Sequence, residues 1–391
     1  MRFITRRSAL LAGVCIALWS GAIPGSADEP IKIGFIGEMT GPFADFGEQM
    51  LSGMRVYMKE HGDTVAGRKV EIIVRDVGGP NPEVARRLAQ ELVSREKVSF
   101  LAGFGFSPNA LSASAIATQA KVPMVVMNAA ARTIPERSPY VVRTSMSTAH
   151  TAAGTAQWAI KNGIKTAQTM VIDYAPGHDA EKSFIEEFER LGGKVTGSLR
   201  VPLSSVEFGP FVQRVKDARP DALFSFINAG NPGAAFFKAV KERGLDEAGI
   251  RQIGTGDSVY EPIFDVAGDN ALGMISIYPY SAAHPSEKNR KFVAQFFAQN
   301  GDKVVPTIMA VGGYDGMAAI YEVIKQTQGK VTPERAMEIL SGLVIDSPRG
   351  RIQIDKTTRD IVQGLYARKV ERVGGRLLNV EFEQVTPPPS N

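Results

Sequence analysis

The residues most suggestive of chemistry are the glycines of a loop that follows the first apolar segment of the chain. The stretch IKIGFIGEMTGPFADFGEQM, residues 31–50, places Gly37, Gly41 and Gly47 between a strand-like segment and a helical pattern. A glycine-rich loop in that position often binds a phosphate at the N-terminus of the helix. It also allows the backbone to approach a small organic ligand closely, because glycine has no side chain in the way.

The glycine spacing argues against a phosphate or a dinucleotide. The opening loop lacks the G-x-G-x-x-G spacing, GFGFSP (103–108) has a proline in place of the last glycine, and GTGDSV (254–259) has a valine there. The chain has no G-K-[ST] of a P-loop, no G-x-S-x-G of a hydrolase and no H-E-x-x-H of a zinc protease. We therefore expect no cofactor and no enzyme activity.

The histidines and the cysteine form no local motif for metal binding or nucleophilic catalysis. His61, His150, His178 and His284 are widely spaced, and the single cysteine, Cys15, lies in an apolar N-terminal segment. A metal centre or a catalytic triad would have to be assembled entirely by the fold. We therefore predict no metal site.

Six loops that each follow a strand-like segment are rich in small and hydroxylated residues. In an open α/β sheet, ligands bind beyond the carboxyl ends of the strands, where such loops lie. Small residues let the backbone approach a ligand, and the amides of a following helix attract a carboxylate. One such loop is ordinarily only a turn. Six of them favour a ligand-binding cleft: EMTGPFADFG, GFGFSPNA, NAAART, DYAPGHD, NAGNPG and TGDSVYEP.

The first 27 residues have the features of a cleaved signal peptide. Arg2, Arg6 and Arg7 precede the apolar segment SALLAGVCIALWSGA, which is too short to span a membrane, and small residues precede the expected cleavage after Ala27. The twin arginine indicates Tat export, but Ala9 stands where that motif prefers phenylalanine, so Sec export stays open. We therefore expect a periplasmic protein.

The rest of the chain has the composition of an ordinary globular protein. The chain is 44% hydrophobic and 22% charged. Its 391 residues are enough for two domains, each with a hydrophobic core of its own. Without the three arginines of the leader, 42 basic residues face 41 acidic ones, so the net charge falls from +4 to +1. This balance indicates neither nucleic acid nor a membrane surface as a partner.

Short apolar segments alternate with amphipathic helical patterns, which predicts parallel sheets with helices on both faces. The strand-like segments are 31–37, 69–76, 98–103, 122–128, 165–173, 194–201, 221–227, 250–256 and 271–278. The helical patterns cover 47–61, 81–96, 108–120, 149–162, 179–191, 208–218, 232–243 and 285–299. So many strands favour two sheets, and hence two α/β lobes.

The pattern changes at three places along the chain. A short strand leads into a new helix near 143–145, and a long helical region, including 306–326, follows residues 278–285. In the tail, 350–370 and 375–385 have the pattern of antiparallel strands. We expect the chain to cross from one lobe to the other at these three places.

The chain contains, in this order, the segments IKIGFIGEMTGPFADFGEQMLSGMRVYMKE, GFGFSPN, VPMVVMNAAART, VIDYAPGHDAEKSFIEEFERLGGKV, FKAVKERGL and VAGDNALGMIS. Together they resemble the periplasmic leucine/isoleucine/valine-binding protein family, solute receptors of ABC importers with the type I periplasmic binding fold. The resemblance extends from about Ile31 to Asp355. Each segment alone is unspecific, but their order and spacing are specific.

The resemblance implies two Rossmann-like lobes with parallel sheets, joined by three hinge crossovers near Ser145, Ser281 and Val344. The lobes close on a ligand between them. The implied domains are the signal peptide 1–27, an N-terminal lobe of 28–145 and 281–344, and a C-terminal lobe of 146–280 and 345–391. The implied partner is an ABC permease in the inner membrane. A monomer is the default, because both lobes must meet the permease.

The resemblance also places a binding site between the lobes. Ser107 corresponds to a hydroxyl that binds the ligand carboxylate, and the loop that begins at Asn128 directs the amides of Ala129 and Ala131 at the same carboxylate. Many amino-acid receptors of the family have threonine where this chain has Ala131, so one hydroxyl contact is missing. The implied apolar wall consists of Phe43, Phe46 and Phe104.

The C-terminal lobe contributes the other side of the implied site. Tyr174 closes over the ligand, and the loop from Asn228 to Asn231 faces it. Asp257 corresponds to the acid that pairs with an α-ammonium group. Arg132, beside the first loop, is interpreted as a solvated charge rather than a ligand contact.

The residues leave two ligand classes open. Asp257 favours a small hydrophobic amino acid, whereas the missing hydroxyl at Ala131 and the surplus of phenylalanine leave room for an aromatic carboxylate without an amino group. We place amino acids slightly ahead. Two other functions stay open: a sensory receptor with the same fold, and an exported cofactor-dependent oxidoreductase, for which the chain lacks a fingerprint.

Overall fold

The computed structural model describes residues 29–203, 207–228 and 231–385. The predicted signal peptide with Cys15, the side chain of Asn231 and the tail 386–391 lie outside the described residues. No helix in the described part of the chain is long and apolar enough to cross a membrane.

The described chain alternates strands and helices almost throughout. The strands are β1 Ile31–Gly37, β2 Thr64–Val65, β3 Arg68–Asp76, β4 Phe100–Gly103, β5 Met124–Val126, β6 Val141–Arg143, β7 Thr166–Ile172, β8 Lys194–Val201, β9 Ala222–Phe226, β10 Arg251–Thr255, β11 Ile275–Tyr278, β12 Val344–Ser347, β13 Gly350–Ile354, β14 Ile361–Val362, β15 Leu365–Val373 and β16 Arg376–Val385. The helices are α1 Ala44–His61, α2 Pro82–Glu91, α3 Ser107–Ala120, α4 Thr148–Lys161, α5 Ala175–Arg190, α6 Gly209–Ala218, α7 Asn231–Arg243, α8 Phe264–Ala267, α9 Glu287–Asn300, α10 Ile308–Gln326 and α11 Pro333–Leu340.

The first sheet has six strands in the order β2-β3-β1-β4-β5-β6. All neighbours are parallel except β2 and β3; in β1, Ile33 lies opposite Phe100 of β4. Helices cover both faces, so Ile33, Phe35 and Ile36 of β1 are all fully buried. The loops after β1, β4 and β5 therefore leave the sheet at the same edge.

The second sheet has seven strands in the order β16-β15-β11-β10-β9-β7-β8. The five strands β7 to β11 are parallel to one another, whereas β15 and β16 are antiparallel to their neighbours. The loops after β7, β9 and β10 again share one edge. A small antiparallel sheet of β12, β13 and β14 completes the fold.

Helices α1 and α10 of the first lobe pack with their backbones in close approach. A Cβ on Gly53 would lie 1.8 Å from the carbonyl oxygen of Ala310, and one on Gly313 would lie 2.1 Å from that of Met50. Only glycine allows this contact, which explains Gly313 inside the helical pattern of 306–326. The crossing fixes α10, whose second residue lies at the cleft described below.

A buried guanidinium holds the crossovers together. Arg349, between β12 and β13, donates to the carbonyl oxygens of Ser145 (2.8 Å) and Thr144 in the first crossover. It also forms an ion pair with Asp315 of α10 at 3.0 Å, and both side chains are fully buried. The hydroxyl of Ser347 donates to the same carboxylate at 2.8 Å. Because water cannot solvate these buried charges, Arg349 and Asp315 compensate each other.

The predicted fold class is confirmed, and the predicted strands and helices occur in the predicted order. Segments 31–37 and 194–201 match β1 and β8 residue for residue. Helix α5 begins four residues before the predicted 179, because Pro176 fits the first turn, where a missing N–H costs nothing. The eight-residue α11 and the short β12 were not predicted. The predicted lobe boundaries stay a prediction.

Asp315→Ala should destabilise the protein severely, because it leaves the guanidinium of Arg349 buried and unpaired. The expected loss is about 3–5 kcal/mol in the free energy of unfolding, measured by urea denaturation followed by circular dichroism. Lys325→Ala, at an exposed position of the same helix, should change it by less than about 0.5 kcal/mol. Equal losses for the two variants would show that the buried pair is not a special contributor to stability.

Candidate ligand-binding site

A cleft lies between the loop edges of the two sheets. It contains about 440 Å³ of space not occupied by protein atoms, part of which is open to solvent. The lining comes from both lobes, the first crossover and the start of α10: Phe46, Gly105, Phe106, Ser107, Asn128, Ala130, Met146, Thr148, Tyr174, Pro176, Phe226, Asn228, Asp257 and Met309.

Four helices begin at the cleft. Ser107 and Thr148 are the first residues of α3 and α4, and Pro176 and Met309 are the second residues of α5 and α10. A helix N-terminus carries unpaired amides and a partial positive charge. Among the residues that the structure describes, no lysine, arginine or histidine lines the cleft. An anion in this cleft would therefore be stabilised by helix dipoles and hydroxyl groups rather than by a cation.

The hydroxyl of Ser107 is positioned by the neighbouring loop. Its oxygen accepts hydrogen bonds from the amides of Ala130 (3.3 Å) and Ala131 (3.1 Å), which follow β5. Because both bonds use the oxygen as acceptor, the O–H of Ser107 remains available to donate. Ser107 thus offers the cleft an oriented donor.

Two amide side chains of the lining also have unused hydrogen-bonding capacity. Asn128 donates to the carbonyl oxygen of Gly105 at 2.8 Å, but its own Oδ1 is buried without a partner among the described residues. The Nδ2 of Asn228, in the opposite lobe, is buried and unpaired in the same sense. Buried polar groups in native proteins are nearly always paired, so these atoms mark places where a ligand or water supplies the partner.

Aromatic rings form two walls of the cleft. Phe46 and Phe106 of the first lobe stack with centroids 5.3 Å apart and planes inclined by 21°. Opposite them, Tyr174 packs on Phe226 at 6.1 Å. Flat walls of this kind suit a flat or branched apolar group, which gains about 25 cal/mol per Å² of apolar surface buried.

Asp257 is the only carboxylate that the described residues bring to the lining. Its side chain accepts from the hydroxyls of Thr255 (2.9 Å) and Tyr278 (3.3 Å). Burial raises the pKa of Asp257 to about 6, although these hydrogen bonds and the charge of Arg368 favour the ionised form. The carboxylate is therefore mostly ionised at neutral pH and can accept a hydrogen bond or pair with a cationic ligand group. Burial also raises the pKa of Tyr174, so its hydroxyl stays protonated.

Arg368 of β15 lies behind Asp257. Its guanidinium stacks over the ring of Tyr278 at 4.7 Å, donates to Ser276 Oγ (3.1 Å) and donates to the carbonyl oxygen of Tyr280. The position of Tyr278, and with it one of the two hydrogen bonds to Asp257, depends on this buried cation. Arg368 supports the site without reaching the lining.

Arg143, at the end of β6, holds the loop that follows β5. It forms a bidentate ion pair with Asp360, with hydrogen bonds of 2.7 and 2.5 Å, and donates to the carbonyl oxygen of Ala131 at 2.8 Å. Burial opposes ionisation of Asp360, but the charge of Arg143 prevails and lowers the pKa of Asp360. With the carbonyl of Ala131 fixed in this way, the loop keeps its amides directed at Ser107.

Two contacts bridge the lobes at the mouth of the cleft. The backbone N–H of Arg132, in the first lobe, donates to the carboxylate of Asp179 on α5 at 2.9 Å. The ring of Phe46 meets the edge of Tyr260, in the second lobe, at 5.9 Å. The side chain of Arg132 is exposed. The structure thus has its two lobes in contact across the cleft.

The structure brings six of the predicted site residues into the lining: Phe46, Ser107, Asn128, Tyr174, Asn228 and Asp257. Others lie behind it. Phe43 packs edge-on against Phe106 at 4.9 Å, and Phe104 is fully buried in the core of the first lobe. The amide of Ala129 donates to the carbonyl oxygen of Phe104 at 2.9 Å, and that of Ala131 donates to Ser107. Asn231 lies outside the described side chains, and the ligand-binding roles of all these residues stay predictions.

Sequence reasoning missed several lining residues, among them Phe106, Ala130, Thr148 and Met309. In GFGFS, the two phenylalanines look equivalent, but Phe104 has a φ of +69°, and this turn leaves Phe106 rather than Phe104 at the cleft. Thr148 and Met309 begin helices that come from other parts of the chain. A search for the first residues of helices after each crossover could have found them.

Comparisons with known proteins agree with this architecture. Residues 30–375 match the periplasmic binding protein family. The Leu/Ile/Val-binding protein homolog 6 of Brucella melitensis biotype 1 is 39% identical over 374 residues, which cover 95% of this chain and 96% of that protein.

Two solved structures are similar over nearly the whole chain. One is a solute-binding protein of an ABC transporter from Rhodopseudomonas palustris BisB5 in complex with 3,4-dihydroxybenzoic acid: 47% identity, TM-score 0.87, 92% of this chain and 99% of that one. The other, from R. palustris in complex with 4-hydroxybenzoate, has 42% identity and a TM-score of 0.88 over 92% and 98% of the two chains. With its two sheets and the cleft between them, the chain belongs to the periplasmic binding protein family.

Proposed function

We propose that the protein is the solute receptor of an ABC importer and binds an aromatic carboxylate of the hydroxybenzoate type between its lobes. The observation that carries this proposal is the composition of the cleft. Its walls are aromatic, its polar donors include a serine hydroxyl and helix N-termini, and the described part of its lining has no cation. The two related solute-binding proteins whose structures contain hydroxylated benzoates add support.

The donors of the first lobe suit a carboxylate. The O–H of Ser107 and the start of α3 face the cleft from one side. Hydrogen bonds to a charged acceptor are about twice as strong as neutral ones. A carboxylate at this position needs no buried cation, and the fixed donors lose little freedom when it binds.

The rest of the cleft suits a flat ring. The Phe46–Phe106 pair and the Tyr174–Phe226 pair approach the ligand space from opposite lobes. A benzene ring between them would bury both of its faces. Asp257 can accept a hydrogen bond from a ring hydroxyl, which gives this acid a role without an ammonium group.

A small hydrophobic amino acid is the second candidate. Asp257 is a carboxylate suited to an α-ammonium group, and a relative with 39% identity carries the name Leu/Ile/Val-binding protein homolog. Against it, Asp257 already accepts hydrogen bonds from two hydroxyls, and Ala131 brings no hydroxyl of its own.

The proposed mechanism is hinge closure. The ligand binds both lobes and so favours the closed form over the open one. The contacts of Asp179 with the Arg132 amide and of Phe46 with Tyr260 form only when the lobes meet. The closed protein, a monomer exported to the periplasm by the predicted signal peptide, then delivers its ligand to a membrane permease.

A thermal-shift panel on refolded protein tests the ligand class. We expect 4-hydroxybenzoate and 3,4-dihydroxybenzoate to raise the melting temperature by a few degrees, because ligand at 100 times its Kd adds about 2.7 kcal/mol of stability. Leucine, phenylalanine and nucleotides should leave it unchanged. A shift with leucine alone would replace the aromatic ligand by an amino acid, and a shift with nucleotides alone would contradict the receptor function.

Ser107→Ala tests the carboxylate donor. A hydrogen bond to a charged group contributes about 1.5–3 kcal/mol, so its loss should weaken the binding of 4-hydroxybenzoate by roughly 10- to 100-fold. Ser114→Ala is the matched control: Ser114 is also buried on α3, but its hydroxyl donates to the carbonyl oxygen of Leu111 and does not reach the cleft. Isothermal titration calorimetry gives both affinities, and an unchanged affinity in Ser107→Ala would place the carboxylate elsewhere.

Asp257→Asn separates the two ligand classes. An asparagine still accepts a hydrogen bond but cannot pair with an ammonium group. We expect the affinity for 4-hydroxybenzoate to change by less than about tenfold, since a neutral hydrogen bond replaces a charge-assisted one. A loss of binding beyond about 100-fold for an amino acid, measured by calorimetry, would instead identify Asp257 as the partner of an α-ammonium group.

A further inference from the structure

Glu38 is a buried acid beside the cleft that the site described above does not use. It directly follows β1, and its side chain has no exposure to solvent. The largest effects on its charge come from burial, from hydrogen bonds and from the carboxylate of Asp76, and none of them comes from a cation. Charged side chains are rarely buried without a partner, because desolvation of the charge is costly.

The carboxyl group of Glu38 lies directly behind the loop between β4 and α3. Its Oε1 accepts from Asn109 Nδ2 at 3.0 Å, whereas its Oε2 is buried without a partner among the described residues. A Cβ placed on Gly105 would lie 2.0 Å from that Oε2, so a side chain at this position would displace the carboxyl group. Gly105 itself lines the cleft. The acid and the ligand space thus lie on opposite sides of one short backbone segment.

The surroundings of Glu38 favour its protonated form. Burial is the largest effect and raises the pKa of Glu38 to about 7, and the charge of Asp76, at the end of β3, acts in the same direction. The backbone amides of Glu38 and Gly105 and the hydrogen bond from Asn109, the third residue of α3, act in the opposite direction. The other acid facing the cleft, Asp257, belongs to the opposite lobe.

We propose that Glu38 is a positioning residue that carries a proton while the cleft holds a carboxylate, so that ligand binding is accompanied by proton uptake. This inference rests on the proposed function. An ionised Glu38 would compete with the ligand carboxylate for the N-terminus of α3 and would place a like charge behind the same loop. By reciprocity, a bound carboxylate raises the affinity of Glu38 for its proton.

The sign of the pH dependence follows from this linkage. Binding should be tightest below the pKa of free Glu38, where the proton is already present. It should weaken as the pH rises above about 7, by up to tenfold for each pH unit until the pKa of the bound state is reached. At a pH between these two pKa values, binding should take up as much as one proton per ligand.

The test is calorimetric titration of the mature protein with 4-hydroxybenzoate at several pH values between about 7 and 8.5, where Asp257 is mostly ionised, each in two buffers of different ionisation enthalpy. We expect proton uptake and a falling affinity in the wild type. In Glu38→Gln, which imitates the protonated acid, the uptake should vanish and the affinity should stay nearly constant with pH. Glu181→Gln is the control, since this buried glutamate of the other lobe is paired with Arg200 and should leave the uptake unchanged.

A ligand-free measurement distinguishes failure of this inference from failure of the proposed function. A raised folded-state pKa means that stability is lost as the pH rises from the unfolded value of 4.5 to about 7. As the pH rises over this range, the urea midpoint of the wild type should therefore fall relative to that of Glu38→Gln. A difference between the two midpoints that does not change with pH would overturn the inference.

The binding experiment has its own contrary outcomes. Uptake that persists in Glu38→Gln would overturn the inference and leave the proposed function intact. Absence of binding by 4-hydroxybenzoate, benzoate and leucine alike would overturn both. Binding of leucine in place of the benzoates, with uptake lost in Glu38→Gln, would support the inference, because it concerns the carboxylate that these ligands share.

Discussion

The binding site depends on one electrostatic constraint: among the described residues, the cleft lining contains no cation, so an anion that enters must be held by dipoles and neutral donors. Fixed donors can do this only if the fold orients them in advance. Helices α3, α4, α5 and α10 all begin at the cleft, and the hydroxyl of Ser107 is oriented by two backbone amides. Preorganised donors cost little on binding, which is why a receptor can hold a carboxylate without a buried lysine or arginine.

The buried guanidinium groups serve the framework instead. Arg143 fixes the loop after β5 through Asp360 and the Ala131 carbonyl, Arg349 joins the crossovers to Asp315, and Arg368 supports Tyr278 behind Asp257. Each lies behind the lining rather than in it. Arginine suits this role because its planar donors bind several oxygens at once. The fold thus keeps these buried cations away from the ligand and leaves Asp257 as the one charged group that the described residues bring to the cleft, beside neutral, directional donors.

Much of the fold could be predicted from the sequence, because parallel strands and amphipathic helices have periodic patterns that survive burial. The segments that form β1 and β8 could be predicted as strands without any information on tertiary contacts. The site could be predicted only in part, through the resemblance to a family. Asp257 and Ser107 line the cleft, whereas Phe104 has a left-handed backbone and Phe106 lines the cleft in its place. Glu38, Arg143 and Arg368 became visible only when distant segments were brought together, since their partners are far away in the chain.

The most direct test of carboxylate recognition without a cation is a crystal structure of the refolded protein with 4-hydroxybenzoate. We expect a carboxylate oxygen within about 3 Å of Ser107 Oγ, and the ring between the Phe46–Phe106 pair and Tyr174. A ligand turned the other way, with its carboxylate near an arginine or lysine side chain that moves into the cleft, would contradict the account.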